Sequence, residues 1–449
     1  MNAKKGLGRS SAIRAMLALA TRRIVPLLPA KPISDEAPHS GIVAAIDAYI
    51  NRHMNRLNVP GAALAIVEGD QIVHLRGLGR ARPGGEAPSP RTPFIVGSLT
   101  KSFTALAVMQ LVDTGKIELD APVQRYLHWF RVADPEAISR MTVRHLLNQT
   151  SGLSQLPGVL LLADLDQSLG ARERQARGLA TLKLTRSPGA AFEYSNLNYA
   201  LLGLIIEAAS GVSYEAYVQD HIFGPLDMRH SHTSRADAER NGLAVGHRYW
   251  ISVPIAAPDL PIPRGSVPAG GLISSTQDMA QYLIAYLNDG RYRGGHVISP
   301  QGIAELHLPA APIEFMGKPA GAYGMGWIVD DVRQTRILWH DGVVPDFYAY
   351  MALVPETKKG VVLLINANHL LMTFALREVG AGVGALLVGC QPKTIRLAFI
   401  PWVLRLCRLS PSLRSSGLWP ICTGHAAGEE TRSAARSPEA RGRATSFAH

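Results

Sequence analysis

Cysteine is scarce in this chain of 449 residues, with only three copies. Cys390, Cys407 and Cys422 all lie near the C-terminal end, so the preceding residues lack the thiols that a disulfide framework or a thiolate metal site requires. A histidine pair, His230 and His232, has no matching carboxylate or cysteine cluster nearby, so we expect a surface loop there. The sequence therefore predicts no metal site and gives no information about the redox compartment.

The central part of the chain also lacks an excess of positive charge, although the whole chain carries a formal net charge of +11. Residues 1–31 hold seven Lys or Arg and no acid, and residues 390–449 hold nine Lys or Arg against three Glu. Residues 32–389 sum to −2. Because nucleic-acid-binding proteins concentrate positive charge on a folded face, we expect no nucleic-acid partner. The basic ends suit either an anionic membrane surface or unstructured solvated tails.

Long hydrophobic runs are missing as well. The stretches Val379 to Cys390 and Leu397 to Leu404 are well short of the ~18 apolar residues that a membrane-spanning helix needs. They support at most a surface-lying anchor, which we place at residues 395–409 with Trp402 at the interface. Near the N-terminus, the apolar run Ala15 to Ala20 is short for a signal peptide. Export, association with a bacterial envelope and a cytoplasmic location all stay open.

Hydrophobic periodicity divides the chain into three parts. Residues 1–41 form a basic segment that is a weak signal candidate or disordered, residues 42–390 a folded domain, and residues 391–449 a basic tail. The end of the tail is rich in Ser, Arg, Ala and Gly and has no periodicity, which is typical of disorder. An out-of-frame reading of the gene would also explain its abrupt change in composition.

Strand patterns lie at both ends of the folded domain. Apolar runs at Ala62–Val67 and Gln71–Leu75 predict a hairpin. Later runs predict three more strands: Ile337–Trp339, Tyr348–Val354 and Val361–Asn366. The middle of the chain has the spacing of helices and loops. We therefore expect an α+β fold, with an antiparallel β-sheet flanked by helices and an all-helical insertion.

Ser98 and Lys101 form an S-x-x-K motif where a helical pattern begins. The spacing places the hydroxyl and the amine on one face of the first turn. A serine becomes nucleophilic when a neighbour takes its proton, and a lysine can do so if burial or positive potential lowers its pKa. The helix N-terminus also points the Ser98 backbone N–H toward a developing oxyanion. The motif alone is weak, because a chain of this length can contain one by chance.

Two other polar groups accompany this motif later in the chain. Tyr194 and Asn196 follow a Pro-Gly turn and precede a helix, so the phenol can face a cleft and relay a proton. His340, Asp341 and Gly342 follow a predicted strand, and the glycine would let a substrate approach the backbone closely.

Further copies of these patterns have structural explanations. Y-x-N recurs at Tyr49–Asn51 and Tyr286–Asn288, each at the end of a predicted helix. H-x-G recurs at His39–Gly41 in the N-terminal segment, and K-x-G at Lys358–Gly360 in a predicted hairpin turn. Two glycine-rich stretches, Gly265–Gly271 and Gly380–Gly389, lack phosphate-loop spacing, and close packing explains them.

The order of the three motifs resembles that of the serine β-lactamase and penicillin-binding-protein family, above all its class C branch with related esterases and peptidases. Similar segments at Met141–Leu147, Thr150–Leu153, Ala269–Leu272 and Tyr323–Trp327 extend the resemblance over about residues 45 to 370. It implies a β-lactamase/transpeptidase-like fold and a serine hydrolase that forms an acyl-enzyme on Ser98. It implies no metal and no organic cofactor.

The resemblance also implies a role for each matching residue. Lys101 and Tyr194 would serve as general base and acid around Ser98, and the backbone N–H groups of Ser98 and Val343 would form the oxyanion hole. Three other motif residues would contact the substrate: Asn196, His340 and Gly342.

Two departures from the family pattern affect the substrate expectation. His340 stands where classical members have Lys, which weakens the cation available to a substrate carboxylate. Pro345–Phe347 replaces an expected Gly-Phe. Both differences favour an esterase or D-amino-acid peptidase, acting on a small molecule or peptide, over a true β-lactamase. The alternative is a catalytically silent scaffold or membrane-associated binding protein that retains the fold; the oligomeric state stays open.

Overall fold

The computed structural model describes residues 39–160, 164–250, 253–315, 318–370 and 372–395. The basic segment before residue 39, the tail after residue 395 and nearly all of the membrane-contact segment 395–409 lie outside these ranges. The limits assigned to the three parts of the chain therefore stay predictions.

The helices, numbered in chain order, are mostly short. They are α1 His39–Leu57, α2 Thr100–Asp113, α3 Pro135–Arg140, α4 Val143–Leu147, α5 Gln155–Leu160, α6 Ala171–Arg177, α7 Asn196–Ser210, α8 Tyr214–Val218, α9 Arg235–Arg240, α10 Val267–Gly270, α11 Thr276–Leu287, α12 Pro300–Leu306 and α13 Met372–Leu387.

Within the described ranges, the strands fall into one large sheet and three small ones. They are β1 Gly61–Glu68, β2 Gln71–Gly79, β3 Phe94–Ile95, β4 His247–Trp250, β5 Val253–Ala256, β6 Ile273–Ser274, β7 Arg291–Tyr292, β8 Gly295–His296, β9 Ala311–Phe315, β10 Lys318–Tyr323, β11 Ile328–Val332, β12 Thr335–Val344, β13 Phe347–Val354, β14 Lys359–Ile365 and β15 Ala367–Asn368.

The eight-stranded sheet joins the two ends of the domain. Its order is β2-β1-β14-β13-β12-β11-β10-β9, with every neighbouring pair antiparallel. The N-terminal hairpin attaches to the C-terminal strands through the β1–β14 ladder, in which Leu64 lies opposite Leu363. The α+β expectation is confirmed. The segment between the two sets of strands is mainly helical, and it also contains the short strands β3 to β8.

Helices cover both faces of this sheet, which explains why its central strands are apolar at nearly every position. Every residue of β13 is buried. Tyr348 and Tyr350 of β13 lie beside glycines of α13 on one face, and α11 packs on the other through Leu283, which approaches Gly360 of β14.

Val379 to Cys390 belongs to the core, so its interpretation as a surface-lying anchor is wrong. A methyl group at Gly380 would lie 2.5 Å from the Tyr348 hydroxyl oxygen, and one at Gly384 would lie 2.3 Å from that of Tyr350. The glycines therefore let α13 pack closely against the sheet, as close packing predicts.

Within the described ranges no single helix combines the length and apolarity of a membrane span. One bent pair, α7 with Tyr214–Phe223, meets those two criteria.

Two of the structural explanations offered for repeated motifs hold, and two change. Tyr286–Asn288 closes α11, and Lys358 has the positive φ of 51° expected in a tight turn. Tyr49–Asn51 lies inside α1 rather than at its end, since the helix continues to Leu57. His39–Gly41, assigned to the N-terminal segment, already belongs to α1.

The His230–His232 segment is not a simple surface loop. Ser231 is buried and donates to the Asp278 carboxylate at 2.8 Å, and the His230 backbone N–H donates to the same oxygen at 2.7 Å. These bonds dock the segment on the first turn of α11. In the part of the chain that the structure describes, no group of three or more potential metal-binding side chains occurs.

Gly380→Ala tests the packing of α13. Alanine has a higher intrinsic helix propensity than glycine by ~1 kcal/mol, which would stabilise an unhindered helix. Overpacking against Tyr348 and Tyr350 opposes this gain, so we expect the free energy of unfolding to fall by about 1–3 kcal/mol in urea titrations. An increase in stability would contradict the close approach of helix and sheet.

Candidate active site

Ser98 lies in a short 3₁₀ turn, Gly97–Leu99, that leads directly into α2. The prediction of a helix beginning beside Ser98 is confirmed. Gly97 has a positive φ of 56°, a conformation that glycine adopts without strain, and this lets the chain turn sharply after β3. Ser98 itself is only partly buried, whereas the residues that follow it in the first turns of α2 are buried. The turn thus presents the hydroxyl at the end of a rigid helix.

Lys101 is fully buried, and its amine meets three oxygen atoms. Nζ lies 3.0 Å from Ser98 Oγ, 2.9 Å from Asn196 Oδ1 and 2.6 Å from the Ala269 carbonyl oxygen. Burial lowers the pKa of Lys101 from 10.5 to about 7, although the negative charge of Asp341 opposes the shift. A substantial fraction of Lys101 is therefore uncharged at neutral pH.

Tyr194 contacts the same serine oxygen from the other side. Its hydroxyl donates to Ser98 Oγ at 2.9 Å, and its ring centroid lies 4.8 Å from Lys101 Nζ. Burial raises the pKa of Tyr194 well above 10, so the side chain stays a neutral phenol at neutral pH. The three residues identified by the sequence motifs thus meet in one pocket.

Gln149 holds the loop that carries Tyr194. Its side-chain oxygen accepts from the backbone N–H of Ser195, which occupies the N-cap position of α7 in an extended conformation. The Ser195 hydroxyl donates to the Ser154 carbonyl at 2.9 Å. These two bonds fix the step from Tyr194 into α7, and hence the position of Asn196 at the start of that helix.

Strand β12 runs directly past the nucleophile turn. A methyl group at Gly342 would lie 1.9 Å from the Val96 carbonyl oxygen, and one at Gly97 would lie 2.8 Å from the Val343 backbone nitrogen. Both positions therefore require glycine for the two segments to approach each other. The Val343 backbone lies beside the turn that contains Ser98, and its role in an oxyanion hole stays a prediction.

His340 faces the site as a neutral side chain. It is 2% exposed, its Nδ1 lies 2.6 Å from the Asp341 carbonyl oxygen and its Nε2 lies 3.4 Å from the Tyr323 hydroxyl. Burial lowers the pKa of His340 to about 4. Its ring centroid is 6.4 Å from that of Tyr194. The sequence indicated a weakened cation at this position; burial removes the charge at neutral pH.

Several contacts of the site were not predicted from the sequence. The Ala269 carbonyl binds Lys101, Gln149 anchors Ser195, and Arg377 of α13 donates to the Asp341 carboxylate at 2.6 Å. Ala269 and Gln149 lie in or beside segments that already resembled the family, which was the only available signal. No sequence signal indicated Arg377, because an isolated arginine in a helix is usually a surface residue.

A methyl group at position 342 tests the contact between β12 and the nucleophile turn. Gly342→Ala must move the strand away from Val96, so we expect the rate at which an active-site probe labels Ser98 to fall at least ~100-fold, similar to the loss of one oxyanion donor. Gly295→Ala is the matched control, because its new methyl meets only ordinary contact distances. Labelling of Gly342→Ala at the control rate would contradict the described geometry.

Comparison with known proteins agrees with this geometry. Residues 46–381 match the family described as Beta-lactamase. The chain belongs to that family. It is thus related to β-lactamases and penicillin-binding proteins, and the match includes Ser98, Lys101, Tyr194 and His340.

Curated relatives place the chain among penicillin-binding-protein-like members. It is 31% identical over 318 residues to penicillin-binding protein 4 of Amycolatopsis lactamdurans, covering 69% of this chain and 82% of that protein. It is 27% identical over 328 residues to protein flp of Staphylococcus aureus (strain MW2), covering 72% of this chain. The match spans 63% of the length of protein flp, less than two thirds.

Solved structures share the fold. An octameric penicillin-binding protein homologue from Pyrococcus abyssi aligns with a TM-score of 0.66 and 29% identity, covering 81% of each chain. A class C beta-lactamase aligns with a TM-score of 0.62 and 21% identity, covering 76% of this chain and 97% of that one. The β-lactamase/transpeptidase-like fold expected from the sequence is confirmed.

Proposed function

We propose that this protein hydrolyses an ester or amide bond through an acyl-enzyme on Ser98, with Lys101 as general base and Tyr194 as general acid. The observation that carries the proposal is the double contact of Ser98 Oγ, at 3.0 Å from Lys101 Nζ and 2.9 Å from the Tyr194 hydroxyl. Both distances allow direct proton transfer.

The hydrogen bonds of Lys101 suit both of its charge states. As an ammonium it has three N–H donors for its three oxygen neighbours. As a neutral amine it keeps two donors, for Asn196 Oδ1 and the Ala269 carbonyl, and its lone pair then faces the Ser98 hydroxyl. Deprotonation of Lys101 therefore converts the contact with Ser98 into one that can accept the serine proton, without moving any heavy atom.

The reaction then follows from these positions. Ser98 Oγ attacks the carbonyl carbon of the substrate while its proton passes to Lys101, and the backbone N–H groups of Ser98 and Val343 stabilise the oxyanion. Tyr194 donates its proton to the leaving oxygen or nitrogen and regains one from Lys101. Water, activated by the same two side chains, hydrolyses the acyl-enzyme, and Asn196 keeps Lys101 oriented throughout.

The neutral His340 supports an ester, or a D-amino-acid peptide cleaved away from its C-terminal carboxylate, rather than a classical β-lactam. A buried imidazole with a pKa near 4 offers no charge to a substrate carboxylate at neutral pH. A cavity of about 500 Å³ is lined in part by Gly189, Pro312 and Phe192, which lies two residues before Tyr194, and we assign it to a small-molecule or short peptide group of the substrate. The Phe192 ring, which lines this cavity, packs against the Tyr323 ring at a centroid distance of 5.4 Å.

Covalent labelling tests this function. A fluorophosphonate probe should add to Ser98, and Ser98→Ala should remove the adduct from the intact mass. Lys101→Ala should lower ester turnover by about 10²–10⁴-fold, the usual contribution of a general base. Lys116→Ala, which changes an exposed lysine just beyond α2, is the matched control. A folded sample without an adduct, or full activity of Lys101→Ala, would favour the catalytically silent scaffold.

The pH dependence of kcat/KM for a neutral ester tests the assignment of Lys101 as the base. Lys101 acts only when uncharged, so activity should rise about tenfold per pH unit at low pH and level off above the pKa of about 7. His340 stays neutral over this range and should add no second step above about pH 5. A midpoint near that of ordinary lysine, about 10.4, would contradict the proposal.

A further inference from the structure

Arg377 and Asp341 form an ion pair beside the His340 segment of β12. Arg377 Nε donates to Asp341 Oδ2 at 2.6 Å, which joins α13 to β12 one residue from His340. The side chains are 20% and 11% exposed, so the pair borders solvent while remaining largely shielded. A charge-assisted bond in such a place is strong and weakly screened.

The charges of Arg377 and Asp341 affect the pKa values of side chains in the pocket. Burial raises the pKa of Tyr194 and lowers that of His340, and the positive charge of Arg377 opposes the first shift and adds to the second. The negative charge of Asp341 raises the pKa of Lys101, again against the effect of burial. Asp341 is the chain neighbour of His340, whose ring centroid lies 6.4 Å from that of Tyr194, so an anionic group bound near Ser98 would interact with both members of the pair.

Within the described part of the chain, Lys101 and Arg377 are the cations whose charges affect the pKa values of the pocket, and both already have hydrogen-bond acceptors. Lys101 donates to three oxygens and is fully buried. Arg377 is bonded to Asp341, whose charge and hydrogen bond raise the pKa of the guanidinium although burial would lower it. A substrate carboxylate would have to compete with Asp341 for Arg377 and would also be repelled by Asp341.

We propose that Asp341 is a specificity-determining residue, which neutralises Arg377 and so directs the site toward esters or amides without a carboxylate near the scissile bond. This inference rests on the proposed hydrolase function and adds a charge preference to it. Asp341 is a positioning residue, since it acts through Arg377 and does not touch Ser98.

Two chromogenic esters separate charge preference from overall activity. They are para-nitrophenyl butyrate and the butyrate ester of a para-nitrophenol that carries a carboxylate on its ring. Both give the same butyryl-enzyme, and the ratio of their kcat/KM values cancels any common change, including a shift in the pKa of Lys101. Asp341→Asn should raise the anionic-to-neutral ratio about tenfold, or about 1.4 kcal/mol, because it removes the negative charge beside Arg377.

Two further variants supply the controls. Arg377→Gln leaves the Asp341 carboxylate unpaired and should lower the ratio, and the double variant should return it close to the wild-type value. Ratios that stay within twofold of wild type in every folded variant would overturn this inference while leaving the hydrolase function intact. Absence of turnover of both esters by the wild-type protein, together with absence of Ser98 labelling, would instead contradict the proposed function.

A measurement on the wild-type protein tests the inference even if the variants fail to fold. Boronic acids add reversibly to an activated serine, so phenylboronic acid should inhibit more strongly than its ring-carboxylated analogue. Added salt should reduce this difference, because it screens the repulsion by Asp341. Inhibition strengthened by the carboxylate would overturn the inference.

Discussion

The burial of the Lys101 amine is the constraint on which the site depends. An ammonium in a shielded pocket loses its hydration, and three oxygen acceptors only partly replace it, so its pKa falls to about 7. Without that shift, the lysine would remain protonated at neutral pH and could not accept the proton of Ser98. The same burial raises the pKa of Tyr194 and keeps it a proton donor. One physical effect thus suits two neighbouring side chains to the opposite roles proposed for them.

The fold creates this pocket by bringing distant segments to one point. The sheet joins strands from both ends of the domain, so β12 lies beside the turn before α2. The helical insertion supplies Tyr194, Asn196 and the Ala269 carbonyl, which close the pocket around Lys101. Glycine at 97 and 342 allows the two backbones to approach where a side chain would separate them. Catalytic geometry and core packing are therefore parts of the same arrangement.

The sequence predicted the residues whose chemistry is encoded locally and missed those defined by contacts between distant segments. Ser98 and Lys101 share a helical turn, and Tyr194 with Asn196 stands at a helix start, so local spacing indicated them once the order of the three motifs was taken together. The Ala269 carbonyl, Gln149 and the Asp341–Arg377 pair depend on tertiary contacts that no short pattern encodes. In the fold, the strongly apolar strands β1, β13 and β14 were predicted, whereas β9 to β11 were missed because their polar and apolar residues do not form clear runs.

The charge state of Lys101 is the most direct test of this account. An NMR titration of protein with isotope-labelled lysine, with Lys101→Arg used to assign the signal, would follow the ε-methylene group of Lys101 as the pH changes. We expect a midpoint near 7. A midpoint near 10.4, the ordinary value for lysine, would contradict it.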